Sequence, residues 1–171
     1  MKVKKINDFE LIYFLLVISV CSLVLGLCLT KALGFTFGNT NDIKEILLGT
    51  NPGILYFFKK NILFFLFISI TPFINIFLTG IQFMQVGFMI AQIENMNFIS
   101  QTTILYRHLI FEVVALFTAF LISFKYVQII QSILKDQKCD KSRIIKVISL
   151  LYIIIIIVTF IGAVLEGTAY A

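Results

Sequence analysis

Residues 105–124 read LYRHLIFEVVALFTAFLISF, an apolar run of the length that a membrane-spanning helix needs. It contains the only histidine of the chain, His108, and Glu112 follows four residues later. At that spacing the two side chains lie on one face of a helix. Charged side chains at lipid depth are costly, and they persist where they face a bundle interior, a cavity or a partner. The stretch therefore predicts a polytopic membrane protein with a buried polar spot.

The composition of the whole chain excludes a soluble protein. Apolar residues make up 60% and charged residues 13% of the sequence, and the mean hydropathy is +1.02. Soluble domains have about 45–50% apolar and about 25% charged residues. The net charge of +5 is explained by lysines at membrane borders, which set topology and contact anionic lipid. No basic stripe is interleaved with aromatic residues, so we expect a lipid bilayer and not nucleic acid as the partner.

Four apolar blocks follow one another, and the second of them is ambiguous. A spanning helix needs about 20 residues, and residues 61–93 are long for one helix and short for two, with Thr79 and Gly80 between the halves. We predict an all-α, polytopic helical membrane protein with about five transmembrane helices. The alternative is three spans plus a re-entrant helical pair. The predicted spans are 9–33, 61–79, 81–99, 105–126 and 144–166.

Basic residues beside the blocks predict the orientation, because cytoplasmic loops carry an excess of Lys and Arg. One loop carries a basic cluster that includes Lys135, Lys138, Lys141 and Arg143. We expect it to be the cytoplasmic contact for a partner. Residues 2–5 are also basic, and an even number of spans must separate two cytoplasmic segments. Five helices therefore place the N-terminus in the cytoplasm and the C-terminus outside, although Lys59 and Lys60 then fall outside, against the rule.

The segment between the first two blocks carries the signals of a short surface helix. Asp42 and Glu45 have the spacing of a helix start, and the apolar residues after them give one apolar side. We predict an interfacial helix at about 42–49. Because no internal repeat or linker separates the blocks, we predict a single integral membrane domain over residues 1–171.

One face of the fourth predicted helix is small and polar. That face contains His108, Glu112, Ala115, Ala119 and Ser123, and we expect it to point inward, with the bulky faces that carry Leu116 and Phe120 toward lipid. The last helix shows the same design with Thr159, Gly162 and Glu166. By the predicted topology both glutamates lie in the outer half. A shared site of His108, Glu112 and Glu166 is therefore allowed.

Two interpretations of these acids remain open. In one they belong to a proton or cation relay or a polar cavity. In the other, which we favour, they hydrogen-bond neighbouring helices and lock the bundle. Asn61 and Asn75 are further buried polar candidates, and Pro72 before Asn75 predicts a kink. Small residues that predict helix packing are Gly26, Gly87, Ala91, Ala115, Ala119 and Gly162.

The sequence carries no sign of enzyme chemistry. It lacks a P-loop, an H-E-x-x-H motif and a G-x-S-x-G motif. One histidine and no C-x-x-C pair do not make a zinc site. We therefore predict a non-enzymatic protein with no metal and no cofactor.

From about residue 61 to its end, the chain resembles the stage II sporulation protein M family of integral membrane proteins. That family opens its fourth span with Pro-His-Gly-x-x-Glu, of which this chain keeps His108 and Glu112. Asn61 resembles an asparagine that starts the family's second span, and Gly87 the first glycine of an Asn-Gly-x-x-x-Gly stretch in the third. Glu166 resembles a glutamate in the last span.

The resemblance implies a job in the bacterial cytoplasmic membrane. One branch of the family is encoded with circular bacteriocins, beside an ATP-binding transporter subunit, and supports peptide export and self-immunity. The short length of the chain and its divergent motifs favour that branch, with other membrane subunits and a hydrophobic or cationic peptide as expected partners. A homo-oligomer is compatible with it. The alternative branch is a membrane scaffold that anchors cell-wall hydrolases during sporulation and engulfment.

Overall fold

The computed structural model describes residues 8–34, 53–72, 74–134 and 141–168, and the regular structure of these residues is entirely helical. The prediction of an all-α fold is therefore confirmed. The helices are α1 (Asp8–Leu33), α2 (Ile54–Ile70), α3 (Asn75–Gln92), the short α4 (Phe98–Gln101), α5 (Arg107–Leu134) and α6 (Lys141–Gly167). A π-helical turn, Thr102–Tyr106, connects α4 to α5.

Three of these helices are long and apolar enough to cross a membrane: Ile12–Leu33, Arg107–Leu134 and Ser142–Gly167. The shortest has 22 residues, which at 1.5 Å per residue is about 33 Å and exceeds the hydrocarbon thickness of a bilayer. Their outer faces expose large apolar side chains, including Tyr13, Val20 and Leu25 on α1 and Leu150, Ile153, Ile157 and Phe160 on α6. Exposed apolar surface of this kind marks a contact with lipid or with another protein.

The break inside the second apolar block lies at Pro72 and not at Gly80. Thr71 ends α2, and the ring of Pro72 has no N–H to continue a helix and disfavours helical geometry at the residue before it. The predicted spans 61–79 and 81–99 are therefore wrong in their bounds, since the two helices occupy Ile54–Ile70 and Asn75–Gln92. Gly80 lies inside α3.

The remaining predicted bounds agree with the structure to different degrees. The first and last helices match the predicted 9–33 and 144–166 within three residues, whereas α5 continues to Leu134, beyond the predicted end at 126. The predicted interfacial helix at 42–49 lies outside the described residues, as do Lys135 and Lys138. Lys141 is the first residue of α6, and Arg143 is exposed in its first turn.

Backbone packing divides the chain into two compact units. One comprises residues 1–37 and 76–95, and its described part contains α1 and nearly all of α3. The other comprises residues 38–75 and 96–171, and its described part contains α2, α4, α5, α6 and the residue Asn75. The sequence, which shows no linker, predicted one membrane domain over 1–171 without this internal division.

In the first unit, α1 and α3 approach each other at two glycines. A Cβ atom at Gly26 would collide with the backbone carbonyl of Met84, and one at Gly87 would collide with the carbonyl of Leu23. Ala91, one turn after Gly87, is 2% exposed. Small residues on both helices thus bring two backbones into direct contact, the packing typical of helices in membranes.

Two polar contacts in the described part of the first unit differ in reach: one lies within α1, and the other joins α1 to Glu94. The Thr30 hydroxyl donates to the carbonyl oxygen of Gly26 at 2.7 Å. Lys31 forms an exposed ion pair of 2.9 Å with Glu94, and a pair of this kind contributes at most about 1 kcal/mol. The exposed ion pair therefore adds little to the close packing of the two helices at Gly26 and Gly87.

The second unit is a bundle of α2, α5 and α6. Asn61 of α2 contacts Glu112 near the start of α5, while Ser69, near the end of α2, contacts Tyr152, which also contacts Tyr126 of α5. These contacts show that α2 and α5 run in the same direction and that α6 runs opposite to both.

The small face of α5 points into the second unit, as the sequence predicted. Ala115, Ala119 and Ser123 are fully buried. Leu116 and Phe120, which were expected to face lipid, are only 2% and 3% exposed. That expectation was wrong because α5 is covered by two helices, α2 and α6, and one narrow stripe cannot serve both contacts.

Candidate functional site

The site begins in the first two turns of α5. His108 and Glu112 are one helical turn apart, so their side chains leave the same face of the helix. His108 is 6% exposed, and Glu112 is half-buried. The π-helical turn Thr102–Tyr106 ends immediately before this segment, and such turns occur frequently at functional sites.

The last turns of α6 bring a second carboxylate to the same place. Each of His108, Glu112 and Glu166 offers one ring-nitrogen or carboxylate-oxygen atom, and these three atoms all lie within 4.8 Å of one another. The close approach is possible because α6 has Gly162 one turn earlier, where a Cβ atom would lie 3.4 Å from Cβ of Phe111. The structure thus brings together the three residues whose shared site the sequence allowed.

Asn61 completes the cluster from α2. Its side-chain Nδ2 donates a hydrogen bond of 2.8 Å to Oε1 of Glu112. Lys60, which is exposed, lies close enough to interact electrostatically with both Glu112 and Glu166. The three long helices of the second unit, α2, α5 and α6, therefore contribute to one group, which we call the acid cluster: Asn61, His108, Glu112 and Glu166.

Arg107 fixes the end of α6 beside this cluster. Its Nη2 donates to the carbonyl oxygen of Leu165 at 2.5 Å and to the hydroxyl of Thr168 at 3.0 Å. The last carbonyl groups of a helix have no partner within the helix, and a cationic side chain satisfies them well. Arg107 therefore holds α6 against α5 at the level of Glu166.

Two buried polar atoms of the acid cluster lack a hydrogen-bond partner in the described part of the chain. Nδ1 of His108 and Oε2 of Glu166 are buried and have no hydrogen-bond partner among the described residues. A buried polar group without a partner costs about 1–3 kcal/mol, and two neighbouring carboxylates repel each other when both are ionised. The arrangement is suited to bind a proton or a cation, which relieves both penalties.

Asn75, another predicted buried polar residue, does not join the acid cluster. It is 2% exposed and its Nδ2 donates to Oγ of Ser123 at 2.7 Å. Ser123 is three turns beyond Glu112 on α5, a distance of about 16 Å along the helix. Asn75 therefore lies apart from the acid cluster, near the middle of α5.

Sequence reasoning missed two features of this unit. Hydroxyl groups of Ser69, Tyr152 and Tyr126 form a hydrogen-bonded chain with oxygen–oxygen distances of 3.0 and 3.3 Å. The sequence feature that could have indicated this chain is the presence of hydroxyl-bearing residues inside apolar blocks. A Cβ atom at Gly167 would lie 2.7 Å from Cγ1 of Ile54, so the end of α6 packs tightly on the start of α2. Nothing in the local sequence indicates that contact.

Of the predicted packing residues, Ala115, Ala119 and Gly162 lie in the unit that holds the acid cluster, and Gly26, Gly87 and Ala91 lie in the other.

Comparisons of the chain with protein-family models, with curated proteins and with solved structures gave no match. The acid cluster and its surroundings are therefore the basis for a functional assignment.

Proposed function

We propose that the chain is a five-helix subunit of the bacterial cytoplasmic membrane. The helices α2 and α3 have 17 and 18 residues, or about 26 and 27 Å, which is near the lower limit for a transmembrane helix. Because α2 and α5 run in the same direction, the chain between Ile70 and Arg107 must return to the end at which α2 began. The helix α3 has the length for that return, which favours five spans over a re-entrant pair.

The proposed orientation places the N-terminus in the cytoplasm and the C-terminus outside. Its basis is the positive charge of residues 2–5 and of residues 135–146, which flank α1 and α6 at the ends assigned to the cytoplasm. The acid cluster then lies at the outer end of the second unit. Lys60, which the charge rule disfavours on that side, there has a local reason to be present, because it is near two carboxylates.

The orientation is tested by labelling single cysteines with an impermeant thiol reagent in intact cells. In a background without the native cysteines, we expect Thr40→Cys and Ala171→Cys to react and Ser142→Cys to react only after the membrane is permeabilised. Reaction of Ser142→Cys in intact cells would overturn the orientation.

We further propose that the protein works with a transporter, through an ABC-type ATPase partner, in export of or self-immunity to a bacteriocin-like peptide. The acid cluster carries this proposal. Its four members, Asn61, His108, Glu112 and Glu166, are the positions on which most of the resemblance to the stage II sporulation protein M family rests, and they lie together on three helices. These residues are far apart in the sequence, match separate motifs of the family and meet in one site, which favours a common role.

We assign attraction of the peptide to this chain and ATP hydrolysis to a second subunit. An anionic cluster at the outer membrane face attracts a cationic peptide, whereas no nucleotide-binding motif is present in the chain. A second subunit must therefore supply ATP hydrolysis, and the basic segment around Lys135, Lys138 and Arg143 is the cytoplasmic surface proposed to contact it. A basic surface of this kind favours a partner whose contact surface is acidic.

The partner is tested by co-purification after mild detergent extraction from the native host. We expect an ATP-binding transporter subunit to be recovered with the wild-type chain. The triple variant Lys135→Glu, Lys138→Glu, Arg143→Glu should lose most of that subunit, whereas Lys59→Glu, at the other end of the unit, should retain it. Recovery of no ATPase with the wild type contradicts the proposal. Recovery of an extracellular cell-wall hydrolase in its place supports the scaffold alternative.

A further inference from the structure

We propose that His108, Glu112 and Glu166 bind one divalent transition-metal ion of the Zn²⁺ or Mn²⁺ type where α5 begins and α6 ends. One imidazole nitrogen and two carboxylate oxygens lie within 4.8 Å of one another there. Such a mixed set suits divalent ions of intermediate hardness, because imidazole favours zinc and its neighbours while carboxylates favour manganese and harder ions. This inference does not rest on the proposed transport role, and a bound ion would cancel the negative charge by which the ion-free cluster attracts a cationic peptide.

The distances allow a common ion with small side-chain movements. Zinc–nitrogen and zinc–oxygen bonds are about 2.0–2.2 Å long, so two ligands of one tetrahedral ion are about 3.4 Å apart. A pair at the outer limit of 4.8 Å must close by about 1.4 Å. Rotation about the side-chain bonds of a glutamate supplies that movement without shifting a helix.

A second observation independently points to a ligand. His108 is 94% buried, since 6% of its surface is exposed, and its Nδ1 has no partner among the described residues. Oε2 of Glu166 is in the same condition. Buried polar groups in folded proteins are almost always satisfied, and one metal ion satisfies the lone pairs of several ligands at once.

The surroundings supply the orientation and charge that a metal site needs. The hydrogen bond from Asn61 fixes Oε1 of Glu112 and leaves the other oxygen for the ion; groups of this kind orient ligands in known metal sites. Two ionised carboxylates balance the charge of a divalent ion. Of the nearby cations, Arg107 is engaged by Leu165 and Thr168, and Lys60 is exposed and competes with the metal from the water side.

The sequence alone predicted no metal, because it contains one histidine and no cysteine pair of suitable spacing. That reasoning counted ligands near one another in the chain. The third ligand, Glu166, is 54 residues after Glu112 in the numbering and reaches the other two only through the antiparallel packing of α5 and α6.

The site is tested by titrating ZnCl₂ and, separately, MnCl₂ into the full chain in detergent at pH 7.5. The protein carries no histidine tag, and Cys21, Cys28 and Cys139 are replaced by serine, because free thiols also bind zinc. We expect one ion per chain, a rise in the melting temperature and reversal of both by chelator. Absence of stoichiometric binding of both ions overturns the proposal.

Variants assign the binding to these residues. His108→Gln and Glu166→Gln should weaken metal binding at least about 100-fold, and Asn61→Leu about 10–100-fold. Glu94→Gln, which changes an exposed carboxylate outside the cluster, should bind as the wild type does. Wild-type affinity in Glu166→Gln contradicts the assignment.

Two measurements remain informative even if a ligand variant fails to fold. Lys60→Gln removes a competing positive charge and should tighten binding roughly threefold to tenfold. Lowering the pH from 7.5 to 5.5 should weaken binding to the wild type, because protons compete for the same ligand atoms. Unchanged affinity in Lys60→Gln and at the lower pH shows that the ion binds elsewhere.

Discussion

Under the proposed role in self-immunity, cells that carry Glu112→Gln are expected to lose their tolerance of a cationic bacteriocin-like peptide while the protein remains in the membrane at its normal level. The amide keeps the shape of the side chain, and its oxygen still accepts the hydrogen bond that Asn61 donates to Glu112 at 2.8 Å. Only the charge is lost. The expected decrease in the inhibitory concentration is at least about tenfold, the effect of about 1.4 kcal/mol in binding.

The measurement compares growth at increasing peptide concentration with an immunoblot of isolated membranes. Glu10→Gln, a glutamate of α1, is the matched control and should behave as the wild type. If Glu112→Gln retains full tolerance, the acid cluster only holds the helices together, as the interpretation favoured from sequence has it. We expect the loss because Nδ1 of His108 and Oε2 of Glu166 have no hydrogen-bond partner among the described residues, which a purely structural role does not explain.

Gly87→Leu is expected to produce the largest loss of stability among single substitutions in the first unit. A Cβ atom at this position would collide with the backbone carbonyl of Leu23, and a backbone atom cannot rotate away as a side chain does. The helices α1 and α3 must therefore separate, which costs at least about 3 kcal/mol, the upper range for overpacked interiors.

The loss is measured as a lower melting temperature in detergent by circular dichroism, because the chain has no tryptophan to report by fluorescence. Gly26→Leu should act similarly, since its added side chain would collide with the carbonyl of Met84. Gly53→Leu is the matched control, because a Cβ atom at Gly53 has no neighbour within 4 Å. Equal melting temperatures of Gly87→Leu and Gly53→Leu would contradict the close contact of the two helices.

Sequence periodicity predicted the inward face of α5 well. His108, Ala115 and Ala119 recur at helical spacing, and small and polar residues inside an apolar run have few stable places other than a helix contact. Periodicity could not show that α5 is covered on two sides, so Leu116 and Phe120 were assigned to lipid. The number of neighbours of a helix is a property of the bundle, not of the helix.

The helix break illustrates a different limit. The sequence prediction divided the apolar block at Thr79 and Gly80 and assigned Pro72 only a kink within the second helix. A glycine within a helix is tolerated where another element comes close, and a Cβ atom at Gly80 would lie 3.2 Å from Oγ of Ser22. Proline removes a backbone donor in every setting, so its effect did not depend on tertiary contacts.

The acid cluster was predictable in part. His108 and Glu112 follow from their spacing, and Glu166 from the predicted antiparallel course of the last two helices. The hydrogen bond from Asn61 was not predictable, because α2 begins at Ile54 and not at the predicted residue 61. That shift places Asn61 two turns inside the helix, level with the carboxylates.

The central claim is that the ends of α2, α5 and α6 converge at the outer face of the membrane. A Cβ atom at Gly167 would lie 3.2 Å from Cα of Ile54, slightly closer than a relaxed disulfide needs. The pair Ile54→Cys and Gly167→Cys should therefore form a disulfide once the two helix ends move apart by a few tenths of an ångström. In a background without native cysteines, cells are oxidised and the remaining thiols are counted with polyethylene-glycol maleimide. Each single variant serves as a control.

The account predicts that oxidation protects both thiols of the double variant, and that an impermeant thiol reagent added to intact cells beforehand prevents the protection. Two thiols that stay reactive after oxidation would contradict the packing of α2 on α6. A disulfide that forms despite the reagent would contradict the outer location of the acid cluster.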